Sequence, residues 1–522
     1  MNLDHLVQNW TVRKPIARSR HGVVACQNRI AAAAGAKVLA GGGNAVDAAV
    51  AAGFALAAVE PWNSGLGGVG FMVIYLAREN HVQVVDFGPI SPLGLDPADY
   101  PLTGGFTTDL FTWPSVKDDR NVHGPLSFAV PGQVDGLGLA LERFGTRSFA
   151  EVLQPAIELA QRGIAVDWFL TLKVAAMARE LSRYATTRDI WLPNGLPPST
   201  AAGTPPERLV LKGLADTLRR LADGGRRDFY EGEVARMLLE DMAAVGGIIG
   251  ADDLQRYHAR LVAPLEVDYR GVRVALAGGL TAGPTLADAL RALGEVTFQT
   301  GGPDADAFIA YAKVLRNAYA ERLQTMGDTS DARDPSSTSH FNVADRHGNM
   351  VAVTQTLLSV FGSKAVLPET GILMNNGIMW FDPRPGSTNG LAPNKRPLTN
   401  MCPAIVRRGD RPWFAIGASG GRKIVPAVLQ IASFLIDHHM TLEDAFHQPR
   451  IDASGGDTVG VDPRLPETVR NALAAAYPVS VNELLVYPSN FACPSAVLRD
   501  TAGDLQGITD VLSPWSGAVA AD

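Results

Sequence analysis

The chain has 522 residues, of which 46% are hydrophobic and 19% charged, and its net charge is −7. That length fills one large domain or several ordinary ones, and the acidic balance excludes a nucleic-acid partner, which needs a basic face. Cys26, Cys402 and Cys493 are widely separated and form no CxxC pair, so neither a disulfide framework nor a thiolate metal site is indicated.

In chain order, the first twenty residues carry Arg13, Lys14, Arg18 and Arg20 without a continuous apolar core. No secretory signal is expected, and a cytoplasmic location follows as the expectation. The Ala-rich stretch 30–59 is interrupted by Lys37, Asp47 and Gly41-Gly42-Gly43, leaving no apolar run long enough to span a membrane. It reads as two buried helices, the second capped by Asn44 with Asp47 in its first turn. Gly65-x-Gly67-x-x-Gly70 has the form of a dinucleotide fingerprint, with Asp86 near the expected distance downstream. That mechanism needs a strand before the glycines and a helix after them. Here a helix precedes and Phe71-Met72-Val73-Ile74-Tyr75-Leu76 reads as a strand, so no nicotinamide or flavin cofactor is expected. The glycines are expected to permit tight helix–sheet packing.

Helical periodicity covers 149–163, 209–222, 233–245 and 305–326, and the Pro/Ser/Thr/Gly-rich stretch 193–206 reads as a surface loop. The run Ser336-Ser337-Thr338-Ser339-His340-Phe341-Asn342-Val343-Ala344-Asp345 then alternates, turns at Arg346-His347-Gly348-Asn349 and returns as 350–356. This is a β-hairpin pattern. Thr338 opens its first strand and Thr356 falls near the far end of the second, close to Thr338. A threonine hydroxyl is a poor nucleophile until a base takes its proton, and the threonine's own free α-amine is one such base. That amine exists only if the Ser337–Thr338 bond is broken; the plain alternative is a polar loop entering an ordinary hairpin. Strand patterns follow at 372–374, 404–406 and 413–416, then a helical one at 424–437. Gly417-Ala418-Ser419-Gly420-Gly421 lies between strand and helix, where backbone N–H groups can meet an oxyanion, unless it is a simple glycine turn. Asp437-His438-His439 reads as a helix C-terminus rather than a metal cluster. Helices on both faces of stacked sheets suit this mixture.

Taken together, these segments resemble the γ-glutamyltransferase family. The resemblance rests on 338–345, Gly42-Gly43-Asn44-Ala45-Val46-Asp47-Ala48-Ala49, Gly65-Leu66-Gly67-Gly68-Val69-Gly70-Phe71-Met72, Val130-Pro131-Gly132, Phe229-Tyr230-Glu231-Gly232, Tyr269-Arg270-Gly271, Pro393-Asn394-Lys395-Arg396-Pro397-Leu398 and 417–421, all in family order. It implies an α+β fold, the four-layer αββα sandwich of N-terminal nucleophile hydrolases. It also implies one precursor cut between Ser337 and Thr338 into a large chain 1–337 and a small chain 338–522, interleaved in one domain. Thr338 matches the family's nucleophile, Thr356 the threonine that orients it, and Gly420 and Gly421 the oxyanion hole. No metal or organic cofactor is implied. The expected partners are a small amide and the two subunits of the same precursor, with no nucleic acid and no membrane; further oligomerisation is left open.

The chain departs from the family where a glutamyl head is held. Gly88 stands where an arginine is expected, Leu358 where an asparagine is, Gly377 and Trp380 where a glutamine and an aspartate are, and Thr399-Asn400 replace a serine pair. A zwitterionic head placed there would be desolvated without partners, at a cost on the order of several kcal/mol. The segment 381–391 is shorter than the family's lid, and the stretch from Gly327-Asp328 to Thr338 is short as well. The expectation is hydrolysis of another small amide, in the manner of the oxamate amidohydrolases of purine breakdown. A γ-glutamyl hydrolase or transferase and a cephalosporin-acylase-like amidase are the alternatives, and a non-catalytic scaffold is the alternative of another class. Thr399, Asn400, Arg422, Leu358 and Trp380 are expected to line the substrate site. Arg422, directly after the glycines, would meet a substrate carboxylate unless it is a solvent-facing helix-start residue; Arg396 and Lys395 are next in line.

Overall fold

A computed structural model describes residues 12–107, 113–326, 336–483 and 490–522; the stretch 327–335, expected to be a short approach to Thr338, lies outside them. Its frame is fourteen strands in two sheets: β1 (Ala17–Ser19), β2 (Gly22–Cys26), β3 (Val69–Leu76), β4 (His81–Phe87), β5 (Arg260–Val262), β6 (Leu265–Tyr269), β7 (Val272–Leu276), β8 (Ser336–Asp345), β9 (Met350–Ser359), β10 (Ala404–Arg408), β11 (Arg411–Ser419), β12 (Cys493–Arg499), β13 (Leu505–Thr509) and β14 (Gly517–Ala520). One sheet has the order β14-β2-β8-β9-β3-β4-β5, the other β1-β13-β12-β11-β10-β7-β6. Every pairing in both is antiparallel.

The helices that cover the first sheet include α1 (Arg29–Ala40), α2 (Ala45–Val59), α3 (Gln133–Phe144), α4 (Phe149–Arg162) and α5 (Trp168–Ala176); α6 (Gly283–Gly294), α7 (Ala305–Met326) and α8 (Ile424–Ile436) cover the second. Strand alternation explains the layering. Phe341, Val343, Val351 and Val353 face α1–α4, whereas Ala344 and Ala352 face Ile405, Ala415 and Val497 of the other sheet. Four layers follow, α-β-β-α, as expected. The capping of α2 is as read: Asn44 accepts from Val46 and Asp47 N–H, and Asp47 returns a bond to Asn44 N–H at 2.7 Å. Asp345 ties the hairpin turn to this helix, its Oδ2 accepting from Ala45 N–H at 2.9 Å.

Two expectations are corrected. The segment 372–374 is not a strand: Leu373 and Met374 make only isolated bridges, to Val366 and Gly67. Gly371, at φ 67°, bends the chain immediately before it. The second concerns the glycines after α2, which serve loop–hairpin contact more than helix packing. A Cβ at Gly67 would lie 2.4 Å from the Leu373 carbonyl, and one at Gly68 would lie 2.8 Å from that of Thr356.

Candidate active site

The hairpin brings Thr338 and Thr356 together through a bulge. Ser337 pairs with Leu358 and Ser339 with Gln355, so Thr338 alone stands opposite Thr356 and Leu357. β8 begins at Ser336, two residues before the expected Thr338. Both threonine side chains point between the sheets, and Thr338 Oγ1 donates to Thr356 Oγ1 at 3.3 Å. Thr356 Oγ1 also accepts from the Leu358 N–H at 2.8 Å. Leu358 holds a φ of 83°, a strained value for a branched side chain, and this turns its N–H back onto Thr356.

The glycine turn reaches the same end of the sheet. Tyr75, paired with Met350 near the closed end of the hairpin, donates its hydroxyl to the Asp410 carbonyl at 2.9 Å. β11 therefore starts at the closed end and runs toward the open one, passing His340 at Gly417. It delivers Ser419-Gly420-Gly421 beside Thr338, and the short 3₁₀ turn Gly421–Lys423 packs on β8. Gly420 has φ 137° and Gly421 φ 53°, conformations open to glycine. The strand-to-helix turn thus carries two such glycines and leads through Gly421–Lys423 into α8, a position where backbone N–H groups can meet an oxyanion.

His340 is a structural residue. Its Nε2 accepts from Asn342 Nδ2 at 3.0 Å, and its Nδ1 meets Thr354 Oγ1 at 2.9 Å. Burial pushes the imidazole down to about 3, so the ring is neutral. A folded-state value below the unfolded one (about 6.5) means its contribution is complete above that pH. It is lost as pH falls toward the folded value, at about 1.4 kcal/mol per pH unit. Urea midpoints measured at pH 6 and pH 4 should therefore fall further for the wild type than for His340→Gln; equal falls would contradict this reading.

The expected substrate-side residues fall into three groups. Leu358 and Trp380 are buried in the apolar cluster between the sheets with Phe71 and Met379. Thr399 and Asn400 are engaged by the framework: the Thr399 hydroxyl donates to the Leu280 carbonyl at 3.1 Å, and Asn400 Oδ1 accepts from Arg322 at 3.0 Å. Arg422 is 8% exposed, which removes the solvent-facing alternative, and burial pushes its guanidinium down to about 10. Of the reserve cations, Lys395 clamps its own loop through the Thr388 and Gly390 carbonyls. Arg396 pairs with Asp86 at 3.2 Å, and its Nη1 lies 3.5 Å from where a Gly88 side chain would begin.

Sequence reasoning missed Arg322. It projects from α7, is 5% exposed, and donates to the Thr281 and Thr399 carbonyls, Thr285 Oγ1 and Asn400 Oδ1. Every one of these acceptors is neutral, and burial lowers its pKa. Arg422 is close enough for the two charges to repel, and Tyr319, one turn before Arg322, donates its hydroxyl to the Arg422 carbonyl. The only signal in the sequence was a single arginine in the last two turns of a long amphipathic helix.

A profile of the Gamma-glutamyltranspeptidase family matches residues 31–335 and 329–519. The chain is 34% identical over 506 residues to the Acylase ACY 1 proenzyme of Pseudomonas sp. (strain SE83), covering 90% of this chain and 89% of that one. It is 30% identical over 519 residues to the Glutathione hydrolase proenzyme of Bacillus subtilis (strain 168), covering 88% and 85%. The fold matches that of the cephalosporin acylase from Bacillus halodurans with a TM-score of 0.85, at 24% identity over 99% of this chain and 98% of that one. The chain belongs to the gamma-glutamyltranspeptidase family and is an amide-hydrolysing enzyme of the N-terminal nucleophile type.

Proposed function

We propose that this chain is an autoprocessed threonine amidohydrolase acting on amides whose acyl part carries a carboxylate near the scissile carbonyl, with oxamate, cleaved to oxalate and ammonia, as the first candidate. Cleavage before Thr338 yields the large chain 1–337 and the small chain 338–522, in keeping with the proenzyme names of the relatives. The Thr338 hydroxyl attacks the amide carbon while its freed α-amine takes the proton. Gly420 and Gly421 N–H groups hold the tetrahedral oxyanion. The amine passes the proton to departing ammonia, and water then hydrolyses the ester on Thr338. Thr356 keeps the hydroxyl aligned. Thr356→Val removes that partner and strands the Leu358 N–H, so kcat should fall about 10- to 100-fold; an unchanged kcat would exclude an orienting role.

The observation that carries the substrate class is the buried guanidinium of Arg322, which has only neutral acceptors among the described residues and lies beside Arg422 behind the glycine turn. A buried cation is costly without an anion, and a substrate carboxylate supplies one. The glutamine expected at position 377 for glutamyl recognition has no room there either, because a Cβ at Gly377 would lie 2.6 Å from that of Ala129. The test is ammonia release from oxamate and acetamide, and glutamate release from glutathione, by the wild type, Arg422→Ala and Arg322→Lys. Oxamate should be preferred, and either variant should raise its KM about tenfold or more while sparing acetamide. Better turnover of the neutral amide by the wild type would overturn the carboxylate requirement, and efficient turnover of glutathione would overturn the pocket reading. A second reading, cleavage of a larger acyl amide, is favoured by the identity to the relatives named acylase.

A further inference from the structure

Behind the nucleophile strand, on the face turned away from the second sheet, a polar chain runs through an otherwise apolar core. Ser339 and Gln355 are register partners, and each is the chain neighbour of a candidate catalytic threonine. Alternation turns their side chains toward α2, while Thr338 and Thr356 point between the sheets. Gln355 Nε2 donates to Ser64 Oγ at 3.0 Å, Ser64 Oγ to Ser339 Oγ at 3.0 Å, and Ser339 Oγ to Glu60 Oε2 at 3.2 Å. Glu60 Oε1 accepts from Asn63 Nδ2 at 2.8 Å. Ser64, Ser339 and Gln355 are fully buried and Glu60 is 2% exposed. The chain thus grips the two residues flanking the threonine pair and ends on a carboxylate at the C-cap of α2.

We propose that Glu60 is a positioning residue for the nucleophile: as the last acceptor of this chain its carboxylate fixes the backbone at Ser339 and Gln355, and through it the alignment of Thr338 with Thr356. This rests on the reading of Thr338 as the nucleophile. The direction of donation is the argument. Ser64 must accept from the Gln355 amide, so its own proton goes to Ser339, and the Ser339 proton needs the carboxylate. A protonated Glu60 presents a proton of its own to Ser339, and the chain then holds one more buried proton than acceptors.

Glu60 faces Lys173 of α5, Cys26 of β2 and Cys493 of β12. Burial pushes its carboxyl up to about 7, against the pull of Lys173, Ser339 and Asn63. The Lys173 ammonium is pushed down to about 8 by burial, opposed by Glu60 and Cys493, and burial holds both thiols well above the ordinary range. The carboxylate form is therefore present above neutrality and is lost as pH falls through that value.

Self-cleavage separates this titration from that of the Thr338 amine, because the amine is not yet free in the precursor. The experiment follows self-cleavage of full-length precursor, made by brief cell-free translation and shifted to buffers between pH 5.5 and 8.5, for wild type, Glu60→Gln and Ser339→Ala. Wild-type cleavage should slow roughly eightfold between pH 7.5 and pH 6. Glu60→Gln, which keeps an acceptor but cannot titrate, should lose most of that dependence while staying within about tenfold of the wild type at pH 8. Ser339→Ala, which cuts the link, should be slower at pH 8 and equally flat. A uniform slowing of Glu60→Gln with the pH dependence intact, or a Ser339→Ala variant with the wild-type profile, would overturn the proposal. A wild type that never cleaves would instead overturn the nucleophile reading on which it rests.

Discussion

Thr338→Ala is expected to accumulate as an uncut 522-residue chain with amide hydrolysis reduced by at least about four orders of magnitude. The substitution removes the hydroxyl that bonds Thr356, and without that hydroxyl no acyl shift can free the α-amine that serves as base. Packing is little disturbed, because the site lies at a bulge where the strand pairing is already interrupted. Thr338→Ser restores the hydroxyl and should restore both cleavage and turnover. Normal cleavage in the alanine variant, seen as two bands on a denaturing gel, would remove Thr338 from the chemistry altogether.

Gly420→Ala is the second large effect. At φ 137° an alanine is strained, and its Cβ would lie 2.8 Å from Ala492 Cα and 2.9 Å from Ala492 Cβ. The turn has to rotate, and the N–H groups of Gly420 and Gly421 rotate with it. Loss of one oxyanion donor lowers kcat by about 10²- to 10³-fold. Because the donors act on charge that develops in the transition state, KM should change little. Steady-state kinetics on oxamate, or on any amide the enzyme turns over, decides the point; a rise in KM with kcat intact would move the glycines out of the reacting centre and into ground-state binding.

How far the sequence reached follows from which features are local. The hairpin was legible because alternation, an Asp-to-Asn turn and register are all properties of one contiguous stretch. The Asn44–Asp47 cap and the helix after Gly420-Gly421 were legible for the same reason. The strand expected at 372–374 was not formed, since three apolar residues after a glycine bend carry no information about whether a neighbour will pair with them. Arg322 escaped notice because its importance lies in what its acceptors lack, and those come from 281, 285, 399 and 400. The Glu60 chain was hidden likewise: Glu60 and Ser64 come from one stretch, Ser339 and Gln355 from the hairpin far later in the chain, and they meet only when the hairpin is laid on the end of α2. Thr399 and Asn400 were named from their place after Arg396-Pro397-Leu398, but their engagement by Leu280 and Arg322 is a tertiary fact.

The most direct test of the account is the intact mass and N-terminal sequence of the purified wild-type protein. The account predicts two polypeptides of 337 and 185 residues that stay together under native conditions, the smaller beginning with a free Thr338. A single 522-residue chain that nevertheless hydrolyses amides, or a small fragment beginning at any other residue, would contradict it.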